Sequence, residues 1–125
     1  MNKKIELQQI IDNARNELFV IEDEERHRVN SNFISKYYKY RNSYSCPKEN
    51  EYWWIYQKIV DVDRHGILYS LQFQKDIFGE IRINSHEHTY MTNWIEITKE
   101  EFLEEFKKIV DEINLYYNKI DVLLE

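Results

Sequence analysis

Two histidines one residue apart, His86 and His88, are the first residues whose types and spacing could do chemistry. On a strand they point to the same side, and two imidazoles with a third ligand could hold a catalytic zinc with an open position. His65, Asp61 or Asp63 would have to supply that ligand, and nothing in the spacing requires it. The stretch Asp61-Val62-Asp63-Arg64-His65-Gly66 imitates the start of a calcium loop, but its twelfth place is Gln72 where such a loop needs glutamate, so it reads as a hairpin turn. Glu24 and His27 match one half of a di-iron ligand pair that needs further glutamates on facing helices. Cys46, beside Pro47 and near Lys48, is the single cysteine; it can form no internal disulfide and carries no sign of an activated thiol.

Two further groups suit binding better than catalysis. Lys36-Tyr37-Tyr38-Lys39-Tyr40-Arg41 interleaves cations with stacking rings, as single-stranded nucleic acid requires. On a helix, however, Tyr37, Tyr40 and Tyr44 fall on one side and serve as a core stripe. Glu100, Glu101, Glu104, Glu105, Asp111 and Glu112 crowd the last quarter of the chain, and Glu22 to Glu25 form a second cluster. Acids in a first helical turn are stabilised by the macrodipole; Glu104, Glu105, Asp111 and Glu112 lie beyond that turn and form a field that could steer the chain onto a basic surface.

The elements that must position these residues follow from periodicity. Phe102, Phe106, Ile109, Ile113, Tyr116, Ile120 and Leu123 step by four and three, one stripe of a helix over 98–125. Thr98 and Glu101 predict a reciprocal capping box at its start. Leu7, Ile11, Ala14, Leu18 and Ile21 have the same period, so 1–44 is expected to be helical, as one helix or two, with Phe33 to Tyr40 restarting the pattern after Asn30-Ser31-Asn32. The two matching stripes are expected to pack side by side or to meet in a homodimer. Residues 45–50 read as a loop. From Glu51 the period becomes two, and 51–97 is expected to be a four-stranded antiparallel meander: a hairpin turning at Arg64-His65-Gly66, a third strand with Ile81 and Ile83 inward, and a fourth with Met91, Ile95 and Ile97 inward. The predicted fold is a single α+β domain over 1–125, its long C-terminal helix packed on one face of the sheet. Strand parity then places His86, His88, Tyr90 and Trp94 on the opposite face beside Glu80, Arg82 and Asn84. Such a row of rings is a binding surface if that face is open.

Composition narrows the function classes. Two glycines in 125 residues cannot build the loops that wrap phosphates, which sets aside dinucleotide and P-loop chemistry. The net charge is −6 and is unevenly placed: residues 1–44 carry +1, 45–97 carry −3 and 98–125 carry −4. That balance disfavours phosphate backbones and favours a basic protein partner. No apolar run approaches the ~20 residues of a membrane span, and no secretory leader is read at the start, so a cytoplasmic location is expected. One alanine beside abundant Ile, Lys, Asn and Tyr suggests an AT-rich genome, that of a low-GC bacterium, its phages or mobile elements. The join Trp94-Ile95-Glu96-Ile97-Thr98-Lys99-Glu100-Glu101-Phe102 resembles strand-to-helix joins of small bacterial α+β proteins, immunity proteins and phage inhibitors among them; the likeness covers about nine residues and assigns no family. The resulting expectation is a non-catalytic, cofactor-free interaction module, an inhibitor of immunity-protein or counter-defence (anti-CRISPR-like) type that blocks a basic bacterial effector, a toxin or CRISPR-type nuclease. Its binding residues would be Glu104, Glu105, Asp111, Glu112, His86, His88, Tyr90 and Trp94. The alternatives are a metal-dependent enzyme using His86 and His88, and single-stranded nucleic acid binding through Lys36 to Arg41.

Overall fold

A computed structural model describes residues 2–43, 52–89 and 93–125. Its elements are helix α1 (Lys3–Asn30), a 3-10 turn (Ser31–Phe33), strands β1 (Tyr37–Ser43), β2 (Tyr52–Val62), β3 (Leu68–Lys75), β4 (Ile81–His88) and β5 (Ile95–Ile97), and helix α2 (Lys99–Leu124). The α+β class, the N-terminal helix, the antiparallel sheet and the long C-terminal helix are as expected. Among the described residues the sheet has five strands, not four, in the order β4-β3-β2-β1-β5.

Two expectations about the sheet and its bounds are corrected. Residues 37–43 are a strand, not the continuation of a helical region to residue 44. Tyr37, Lys39 and Arg41 alternate with Tyr38 and Tyr40 across two faces, and pairing with Trp53 to Lys58 on β2 outweighs the helical spacing of the tyrosines. The sheet is also not a sequential meander: β5 crosses over to pair with β1 through Tyr37, Tyr38 and Lys39 instead of lying beside β4. Tyr90 and Met91, assigned to the fourth strand, lie outside the described residues, as do Tyr44, Cys46 and Lys48.

α2 crosses one face of the sheet. Thr98 Oγ1 accepts from the Glu101 N–H (3.1 Å) and caps the helix, but the Glu101 carboxylate takes the Lys39 ammonium (3.4 Å) rather than returning to Thr98, so only half of the capping box forms. Phe102 packs on Tyr37 and Phe73 with ring centroids 5.0 and 5.1 Å away, Phe106 packs on Phe73 at 5.3 Å, and Ile109 is 7 % exposed. Burial of the stripe stops there. Glu112 grips Lys75 at the end of β3 (2.9 Å), and from Ile113 onward the helix overhangs, with Ile120 56 % and Leu123 83 % exposed.

The other face carries a second core. Tyr38, Ile59, Val62 and Leu68 cluster there, with Phe33 and Trp94 packed against them. This face is therefore not fully open: Phe33, in the segment after α1, and Trp94, on the approach to β5, cover part of it.

α1 is continuous through Glu22 to Glu25: Glu22, Glu24 and Glu25 are exposed, and Asp23 faces the body of the fold. Among the described residues the helix is fixed to the body at one end only. Asp23, Arg26, His27 and Asn30 share a polar side and dock on the β2–β3 turn: Asp23 with His65 (2.6 Å), Arg26 to the His65 carbonyl (3.0 Å), His27 Nδ1 with the Asp63 carbonyl (2.7 Å) and Asn30 Nδ2 to the Gly66 carbonyl (2.7 Å). Leu7, Ile11, Leu18 and Ile21 lie on the opposite side of the helix and are exposed, so the expected packing of the α1 and α2 stripes against each other within the chain does not occur.

Candidate functional site

The sheet face away from α2 brings His86, His88 and Trp94 together as strand parity predicts. The two imidazole centroids are 4.5 Å apart, His88 meets Trp94 edge-on at 4.7 Å, and Trp94 stacks on Tyr40 at 5.8 Å. Register explains the convergence, since His88 faces Leu68 and His86 faces Ser70 across the β3–β4 ladder. Beneath the rings lies an amide layer that side-chain periodicity alone does not reveal. His88 Nε2 donates to Gln57 Oε1 (3.0 Å), Tyr40 hydroxyl donates to Gln72 Oε1 (3.2 Å), Gln72 Nε2 donates to Asn84 Oδ1 (3.5 Å) and Trp53 Nε1 donates to Gln74 Oε1 (2.7 Å). Gln57 is 0 % exposed, and its Nε2 has no hydrogen-bond partner among the described residues. Burial, and secondarily the charge of His86, pushes the His88 pKa down to about 4, so the ring is neutral at physiological pH. The available signal was the polar alternation Ser70, Gln72, Gln74, which becomes meaningful only once the strand partners are known.

The proposed third metal ligands are elsewhere. Asp63 Oδ1 accepts from the His65 and Ile67 N–H groups (2.8 and 2.9 Å), which makes Asp61 to Gly66 a turn and holds the Asp63 pKa below the usual carboxylate range. Asp61 Oδ1 takes the Val62 N–H, and His65 faces Asp23. Glu24 is exposed, while its nominal mate His27 is committed to the Asp63 carbonyl. Among the described residues no group of three or more His, Cys, Asp or Glu converges.

Lys36 to Arg41 does not form a stacking platform on a helix. Tyr38 is in the core, and the Lys39 and Arg41 cations sit over the Trp54 ring at 4.9 and 5.3 Å on the α2 side of the sheet.

The four acids assigned to α2 divide into pairs. Glu105 binds Lys108 (2.9 Å), and Glu112 binds Lys75 through both oxygens; each lysine is held above its usual range by that hydrogen bond. Glu104 and Asp111 are exposed and, with Glu100, occupy the ridge opposite the Phe102-Phe106-Ile109 stripe. The field of the inward acids reaches the sheet: burial first, then Glu105 and Glu101, push the Tyr56 phenol up to about 12.

Fold and surfaces together define a small acidic α+β domain with a helix-borne carboxylate ridge and a half-buried ring cluster. No family model matches the chain, and no curated protein and no solved structure matches it. No helix among the described residues is long and apolar enough to cross a membrane.

Proposed function

We propose that this chain is a non-catalytic protein–protein interaction module that inhibits a basic, nucleic-acid-handling bacterial effector, a toxin or CRISPR-type nuclease, by occupying its phosphate-binding surface. The observation that carries the reading is the outward ridge of α2: Glu100, Glu104 and Asp111 stand in solvent while Phe102, Phe106 and Ile109 pin the same helix to the sheet. A carboxylate row on a fixed helix keeps its spacing, so binding it costs little ordering entropy. The net charge of −6 extends the attraction beyond contact range and speeds encounter with a cationic partner. Glu105 and Glu112 serve the helix rather than the partner, since each is already in an ion pair.

The test is affinity capture from lysate of the source cells at low salt, comparing the native chain with the double variant Glu104→Lys/Asp111→Lys. The captured partner should be basic, should elute as salt is raised, and should bind the variant roughly tenfold to a hundredfold more weakly. An unchanged circular dichroism spectrum would show that the variant retains its fold. Retention of nothing at low salt, or equal retention by the variant, would overturn the reading.

A further inference from the structure

Two long helices leave most of their apolar stripes in water. On α1, Leu7 is 51 % and Leu18 54 % exposed, with Ile10, Ile11 and Ile21 likewise open; on α2, Ile113, Tyr116, Ile120 and Leu123 extend past the sheet. These are not scattered surface residues. Both stripes keep the four-three spacing of a coiled-coil seam, with Leu and Ile at most positions. A soluble monomer rarely leaves two such continuous stripes uncovered.

The fold prevents the two stripes of one chain from covering each other. α1 is rooted by its polar side on the β2–β3 turn, at the start of β3, so its stripe faces away from the body. α2 leaves the sheet beside Lys75, at the other end of β3. We propose that a second copy of this chain covers them, each stripe packing into a helical seam of a two-fold symmetric dimer. The area supports this occupant. At roughly 100 Å² open per half-exposed side chain, these nine residues offer about 900 Å² per protomer, against about 800 Å² from each partner in a stable interface. Closed symmetry also accounts for two stripes at once, because one rotation satisfies the same surfaces on both protomers. The inference is independent of the α2 carboxylate ridge, which stays outside the seams in the dimer and is thereby presented twice.

Charged side chains of both signs border the seams, Arg15 and Lys119 as well as Glu17 and Glu22, but each protomer carries a net charge of −6. Like charges on the two protomers therefore oppose association, and salt should strengthen the dimer while weakening any contact with a basic partner. This opposite response separates the two readings.

Sedimentation equilibrium of the full chain over a wide concentration range, at low and high salt, tests the proposal. A reversible monomer–dimer equilibrium that tightens with salt is expected. Leu18→Glu and Ile120→Glu, both at exposed positions, should each raise the dissociation constant by roughly a hundredfold or more, because each places an uncompensated carboxylate in a seam. Native-like circular dichroism of each variant at low concentration would show that the fold survives. A native chain that stays monomeric at all concentrations, one that grows into open-ended oligomers, or a dimer indifferent to both substitutions would overturn the proposal. Loss of partner capture by Leu18→Glu from a monomeric native chain would reassign the stripe to the partner.

Discussion

Gly66 joins the N-terminal helix to the sheet. Its φ is +81°, and a Cβ there would stand 2.5 Å from Arg26 Cγ and 2.6 Å from the His27 nitrogen, so any side chain must push α1 off the turn. Gly66→Ala should cost about 2 to 4 kcal/mol in chemical denaturation, combining left-handed backbone strain with overlap against helix backbone. The turn itself was legible from Asp63-Arg64-His65-Gly66. Its contact with α1 was not, because Asp23, Arg26, His27 and Asn30 lie on the polar side that an apolar-stripe reading assigns to solvent. His88 supplies a second prediction at this scale. Its folded pKa of about 4 lies below the ordinary 6.5, so as pH falls the unfolded chain takes up this proton first. The His88 contribution is fully present above about pH 6.5, declines between there and about pH 4, and is flat below. Denaturation midpoints across that range should fall more steeply for the native chain than for His88→Gln; parallel profiles would contradict the assignment.

Among the elements, α2 shows where a periodic signal stops carrying information about burial. The stripe from Phe102 to Leu123 is uniform in spacing, yet the sheet is only wide enough to cover its first half, and no pattern within the helix marks the edge at Lys75. Ile109→Ala should therefore cost about 2 to 4 kcal/mol of folding stability, and Ile120→Ala within about 0.5 kcal/mol when measured on dilute monomer. Equal costs would mean that the overhang is packed within the chain. β1 shows the converse limit. Tyr37, Tyr38, Lys39, Tyr40 and Arg41 fit either a helical stripe or alternation, and what decides is the availability of β2 and β5 as partners on both sides. That is a tertiary property, invisible to any window of the chain.

At the scale of the whole molecule, class and layer order were readable because each long element carries a strong local signature: the Thr98 cap, the Asp63 to Gly66 turn, and the alternation through β3 and β4. The crossover of β5 to β1 was not, since three residues of strand contain too little pattern to name a neighbour. Much of the candidate binding surface follows the same division. Parity placed His86, His88, Trp94 and Asn84 on one face, while the contact of Asn84 with Gln72, and of Gln72 with the level of Gln57, depends on the register between the successive strands β2, β3 and β4.

The one-ended attachment of α1 has a kinetic side. A 28-residue helix spans about 42 Å, and with only its last two turns docked, its N-terminal portion has little tertiary support. Amide exchange should therefore be graded along α1, slow near Asn30 and fast toward Lys3, with the gradient flattening as the chain is concentrated. The reach and order of this arm would then be set by how many copies of the chain are nearby.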